Sequence, residues 1–124
     1  MWYEEYPTVP ASMVLNGFIY SLMGLYDLWR TDPEPTAAEA GRLYAAGVRS
    51  LRALLPLFDT GSGTLYDLRH VTCHVAPNVA RWDYHVTHVN QLLVLATMEP
   101  NVTQFGATAD RWAEYMRGHR APHN

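Results

Sequence analysis

From Met13 to Trp29 the sequence is apolar almost without interruption, and Asn16, Ser21 and Asp27 are its main breaks. The stretch reads as a helix with Ser12 as its cap. A helix that is apolar on every face must be covered on every face. The rest of the chain therefore has to wrap it. Gly17 and Gly24 lie seven residues apart, on one side of this helix. They either let another backbone come close or are simply tolerated.

The chain has 124 residues, enough for one domain with one core and too few for two. Residues 2 to 10 read as extended, because Pro7 and Pro10 disfavour a helix there. After a turn at Asp32 to Pro35, Thr36 to Glu39 has the pattern of a capping box. The helix it opens runs to about Leu55, where Pro56 ends it. Glu39, Arg42, Arg49 and Arg52 mark its wet face, and Leu43, Leu51, Leu54 and Leu55 its dry one.

Residues 60 to 76 predict a short β-hairpin or paired extended segments. Gly61 to Gly63 supply the turn, while Thr64, Tyr66, Val71 and Thr72 favour strand. Beyond Pro77 a third helix is expected over Asp83 to Met98, with Val89, Leu92, Leu93 and Met98 inward. A fourth follows over Thr103 to Arg117, with Phe105, Trp112 and Met116 inward and Gly118 closing it. Trp29, Trp82 and Trp112 are expected in the core, although Trp82 also has the character of a sugar-stacking ring. A buried helix beside an amphipathic one implies inner and outer helices. The expected fold is mainly α, part of an α/α toroid, with the hairpin carrying site residues at one mouth.

Net charge is −3, which argues against bulk nucleic-acid binding. All nine basic residues are arginine, a side chain that makes planar two-point contacts with carboxylates and sulfates. Cys73 is the single cysteine and excludes an internal disulfide framework. No apolar run has the length of a membrane span, and no leader is evident, so no anchor or signal is expected. Asn101-Val102-Thr103 fits the N-glycosylation pattern, a hint of a secretory route.

Two runs concentrate the polar chemistry, Thr64 to His70 and Arg81 to His88. Each places a tyrosine three residues from an arginine, with aspartate and histidine beside them. Tyr66 and Arg69 meet only if the chain turns after Tyr66, in which case the guanidinium would lower the phenol pKa. Arg81 and Tyr84 share a face if both lie in the first turn of a helix, with Asn78 just upstream. At the other end of the chain, Glu5-Tyr6 pairs a carboxylate with a phenol, a candidate for proton handling. His85 and His88 read as hydrogen-bonding substrate hydroxyls or as holding the helix start. A metal reading fails, because neither His-Glu-x-x-His nor paired zinc-type cysteines occur.

These motifs resemble the D-glucuronyl C5-epimerases. The likeness covers Glu4-Glu5-Tyr6-Pro7-Thr8, Val14 to Phe18, Gly24 to Leu28 and Leu55-Pro56-Leu57. It continues through Asp59 to Gly63, Tyr66 to His70, Ala76-Pro77-Asn78, Ala80 to His85, Asn90-Gln91-Leu92 and the final His123-Asn124. Val86 departs from the family's usual threonine, and Val71 to Val75 from its more apolar segment.

The resemblance implies that residues 1–124 form the carboxy-terminal helical catalytic domain, without the family's amino-terminal β-rich part. It implies conversion of D-glucuronate to L-iduronate in heparan sulfate and heparin precursors, by removing the C5 proton and returning one on the opposite face. Glu5, Tyr6, Tyr66 and Tyr84 match positions tied to catalysis, and Arg69 and Arg81 match carboxylate or sulfate contacts. Asn78, His85 and His88 are further candidates for substrate binding. No cofactor and no metal are expected. The implied substrate is a heparosan-type or N-sulfated polysaccharide, and the implied whole enzyme is a membrane-anchored homodimer of the Golgi lumen. A polysaccharide lyase, or a glycan-binding fragment without catalysis, are the alternatives.

Overall fold

The computed structural model describes residues 1–122, so His123 and Asn124, which close the resemblance, lie outside the described residues. The chain is mainly α. Its helices are α1 (Leu15–Thr31), α2 (Thr36–Leu54), α3 (Arg69–Thr72), α4 (Trp82–Met98) and α5 (Thr103–Met116), with a 3-10 turn at Leu55–Phe58. Each connection within a pair is short, so α2 folds back along α1 and α5 along α4. The pairs meet where α1 packs on α4, and Gln91 of α4 donates to the Asn16 carbonyl of α1 at 2.9 Å.

One core joins the pairs. Leu15, Phe18, Ile19 and Leu22 of α1 meet Tyr44, Val48 and Leu51 of α2, and Leu92, Leu95, Phe105 and Trp112 of α4 and α5. The amino-terminal segment lies over this core, with Trp2 stacked on Phe18 at 3.8 Å between ring centres.

α1 is not covered all round. It buries one face, while Tyr20, Leu28 and Trp29 are exposed, as are Leu93 and Val94 of α4. The expectation of an inward Leu93 and of a core Trp29 and Trp82 is therefore corrected. Trp82 is 62% exposed, and among these three tryptophans Trp112 alone is buried.

Both expected helix caps are also replaced. The α1 cap residue is Val14, and Ser12 instead donates to Glu4 Oε2 at 3.0 Å. Thr36 lies inside α2, and the carboxylate of Glu34 accepts from the Ala38 N–H at 3.0 Å in place of the capping box. Glu39 is drawn to Arg42, one turn along the helix.

No hairpin forms over residues 60 to 76. Two isolated antiparallel bridges, Asp59 to Thr64 and Leu65 to Val79, take its place, and Val71 and Thr72 fall in α3. Their strand propensity is overridden by the turn that begins at Leu68, whose carbonyl accepts from both Val71 and Thr72. Asp59 braces the glycine turn. It accepts from the Gly61 N–H, Tyr115 Oη and Arg111 Nε at 2.8, 2.9 and 2.8 Å.

Candidate active site

Four backbone contacts bring the site together. The Leu15 N–H donates to the Tyr66 carbonyl at 3.0 Å, and the Leu68 N–H to the Ser12 carbonyl at 3.1 Å. The Tyr66 N–H donates to the Asn78 carbonyl and the Ala80 N–H to the Thr64 carbonyl, both at 2.8 Å. The start of α1 and the lead-in to α4 thus clamp the segment that carries Tyr66.

The side chains then form a row. Arg81 lies over the Tyr84 ring, its Cζ 5.3 Å from the ring centre. Tyr84 meets Tyr66 edge to face, with ring centres 4.8 Å apart. Tyr6 lines the same pocket as Tyr66, and Glu5, resting against Gly17 of α1, is close enough for its charge to act on the Tyr66 phenol. Tyr6, Tyr66 and Tyr84 are therefore gathered although they span much of the chain, and the charge of Glu5 reaches them from α1.

Burial raises the Tyr66 pKa, and hydrogen bonding with Tyr6 and the charge of Glu5 raise it further. The lowering expected from Arg69 is overturned, because that guanidinium is turned to a carboxylate. Tyr66 is a neutral phenol across the physiological range.

Beside the row is a pocket of about 360 Å³, lined by Tyr6, Ser12, Tyr66, Asp67, Arg69 and Cys73 among others. The turn that Tyr66 and Arg69 require is present, since α3 starts at Arg69. Asp67 is buried and holds three donors. Its Oδ2 accepts from Arg69 Nε at 2.9 Å and Asn78 Nδ2 at 2.8 Å, and its Oδ1 from the Arg69 N–H at 3.1 Å. Arg69 spends Nε on this bond, and its terminal nitrogens bond to none of the described residues. A half-exposed, oriented guanidinium at a pocket wall suits a carboxylate or sulfate.

Two candidates do not reach a substrate. His85 and His88 are buried, and both bond to the hydroxyl of Thr64. Burial, with the neighbouring His85, pulls the His88 pKa down to about 3, so its ring is neutral. They hold the core under the site, so of the two roles expected for them, substrate contact or holding the helix start, their burial favours the second. Asn78 likewise turns its amide to Asp67, and Arg81 is exposed and paired with Asp83 at 3.2 Å. Among the described residues no three His, Cys, Asp or Glu side chains are grouped to hold a metal ion.

A family model described as the D-glucuronyl C5-epimerase C-terminus matches residues 1–114. The chain belongs to this family. It is 56% identical to the D-glucuronyl C5-epimerase of Caenorhabditis elegans over 133 aligned positions, covering 100% of the chain and 21% of that relative. It is also 29% identical over 94 positions to an uncharacterised protein of Methanocaldococcus jannaschii, MJ1128, covering 76% of the chain and 27% of that protein. The chain thus spans only about a fifth to just over a quarter of the length of these curated relatives.

Some residues that shape the site of this family member were missed in the sequence. Glu4 holds the entry to α1, its Oε2 accepting from Ser12 Oγ at 3.0 Å, and its Oε1 and Oε2 accepting from the Met13 N–H at 3.2 and 3.1 Å. Met13 has φ 57°, a left-handed conformation that these bonds help to hold. Asp67 was visible only as an acid two residues before an arginine. No local pattern marked Thr64.

Proposed function

We propose that the chain supplies the catalytic helical domain of a uronate C5-epimerase acting on heparosan-type or N-sulfated polysaccharide. The observation that carries this reading is the gathering of Tyr6, Tyr66 and Tyr84 beside an Arg69-walled pocket, within reach of the Glu5 charge, in a chain of this family. In the reaction the C5–H bond breaks and its electron pair moves into the adjacent carboxylate, giving an enediolate. The proton passes to a base on one face of the sugar, and an acid on the other face returns a proton to C5. Arg69 would bind the sugar carboxylate and stabilise the charge that grows on it. Tyr66, held as a neutral phenol, suits the proton donor, while Glu5 offers a carboxylate for the base.

We further place α1 and α4 as inner helices, and α2 and α5 as outer helices, of an α/α toroid. The exposed apolar residues Tyr20, Leu28, Leu93 and Val94 support this, because further helices of a ring would cover them. For the whole enzyme, the family resemblance supports a homodimer in the Golgi lumen. No helix among the described residues is long and apolar enough to cross a membrane.

The test is incubation with heparosan oligosaccharide in D₂O. Deuterium should enter C5 and L-iduronate should appear. An unsaturated uronate, seen by its ultraviolet absorbance, would make the protein a lyase. Tight binding without exchange would make it a glycan-binding module.

A further inference from the structure

Thr64 is fully buried, and its single hydroxyl stands between two imidazoles. Oγ1 is 3.0 Å from His85 Nδ1 and 2.9 Å from His88 Nδ1. With one proton, the hydroxyl donates to one ring and accepts from the other. The far side of His85 decides which. His85 Nε2 lies 2.9 Å from the Trp112 carbonyl oxygen, and a carbonyl only accepts. His85 thus carries a proton on Nε2. A second proton would make it a buried cation, which is costly without a paired acid, and no carboxylate bonds to it among the described residues.

His85 Nδ1 is therefore the acceptor, and Thr64 donates to it. Thr64 in turn accepts from His88 Nδ1–H. The protons run one way, from His88 through Thr64 and His85 to the Trp112 carbonyl. His88 Nε2 is left bare, and it has no hydrogen-bond partner among the described residues. A proton placed there would be a buried donor without an acceptor.

Both histidines belong to α4, which also carries Tyr84. Thr64 stands two residues before Tyr66. Among the described residues, the hydrogen bonds that join residues 64–66 to α4 are those of the Thr64 hydroxyl. Tyr66 meets Tyr84 through an edge-to-face ring contact.

We propose that Thr64 is a positioning residue, whose hydroxyl, bound to His85 and His88 together, sets the Tyr66 phenol against the Tyr84 ring. Its consequence for proton transfer rests on the epimerase reading above, whereas the order of the hydrogen bonds stands apart from it.

Nitrogen-15 NMR of the histidine rings of this chain tests the order. His85 should appear as the Nε2–H tautomer and His88 as the Nδ1–H tautomer at neutral pH. Thr64→Val keeps the shape and removes the hydroxyl. It should shift the Tyr66 and Tyr84 ring signals and lower C5 deuterium exchange about 100-fold, as for a small misplacement of a reacting group. Thr64→Ser should restore both readouts, which a purely steric role would not. Finding His88 as Nε2–H, or unmoved ring signals in Thr64→Val, would overturn the proposal. If the unaltered chain shows no exchange, the epimerase reading fails, and the tautomers and ring signals still decide the role of Thr64. Should Thr64→Val not fold, the tautomers of the unaltered chain and of Thr64→Ser decide it.

Discussion

The carboxylate of Glu5 lies directly against the α-carbon of Gly17. A methyl group at Gly17 would come within 2.2 Å of Glu5 Oε2 and 3.1 Å of its Cβ and Cδ. Glycine here is what lets a side chain from the amino-terminal segment rest on α1, from where its charge acts on Tyr66. Gly24, seven residues on, has nothing within 4 Å of the same methyl position. The two glycines look alike in sequence and differ in this one respect.

Gly17→Ala should therefore displace Glu5 while leaving the helix intact. Alanine favours a helix over glycine by about 1 kcal/mol, so stability should stay within about that margin of the unaltered chain. C5 exchange should fall at least about tenfold, since a proton-handling group is moved. Gly24→Ala is the control and should raise the melting temperature without changing exchange. Full exchange in Gly17→Ala would remove Glu5 from the reaction.

The Asp67 carboxylate organises Arg69 and Asn78 from below the pocket. Asp67→Asn removes its charge and puts an amide N–H₂ where one oxygen had accepted. Hydrogen bonds to a charged group contribute about 1.5–3 kcal/mol each, so a loss of about 2 kcal/mol in stability is expected. Arg69 would be free to turn, and KM for a uronate oligosaccharide should rise more than kcat falls. Arg69→Lys should also raise KM, because an ammonium lacks the planar fork. Titration of the oligosaccharide by calorimetry separates these effects. Unchanged affinity in both variants would mean that Arg69 does not hold the substrate.

The helices were legible because their cause is local. The leucines of α2 recur at helical spacing, the apolar run of α1 is long enough to be a helix, and Pro56 and Gly118 mark real ends. The caps were not legible. Ser12 and Thr36 are good cap residues, yet Glu4 and Glu34 displace them by contacts that only the folded chain creates. The hairpin failed for a related reason. Thr64 and Tyr66 form no continuous ladder with each other's neighbours, because Thr64 bridges to Asp59 and takes the Ala80 N–H while Tyr66 donates to the Asn78 carbonyl. Within the site, Tyr66 and Tyr84 could be named from their motifs, and their neighbourhood with Glu5 depends on Gly17. The role of His85 and His88 stayed open between two readings because two histidines three apart look the same whether they face a cleft or a core. Only the burial of that face of α4 distinguishes the two.

Asp59 should make stability depend on acid. Burial alone would raise its pKa, but the bonds from Gly61, Arg111 and Tyr115 outweigh burial and lower it. A carboxyl whose folded value lies below its unfolded value stabilises above the unfolded value, about 4. That stability is lost as pH falls through the folded value. Asp59→Asn should thus cost about 1–3 kcal/mol at neutral pH, with the gap closing below about pH 4. Urea denaturation of both forms at several pH values checks this. A gap that persists undiminished to strong acid would show that the charge of Asp59 is not what matters.

His88 acts in a higher window with the same sign. Its folded pKa of about 3 lies below the unfolded value of about 6.5, so the unfolded chain takes up the proton first as pH falls. Stability is then fully present above about 6.5 and declines toward about 3, by up to roughly 1.4 kcal/mol per pH unit. His88→Asn can still donate to Thr64 from its amide and cannot titrate. It should be less stable than the unaltered chain at neutral pH, through lost packing, yet its stability should change less between pH 6 and pH 4. The carboxylates contribute equally to both proteins in that window, so the difference in slope belongs to His88. Parallel stability profiles would show that the buried ring does not resist protonation.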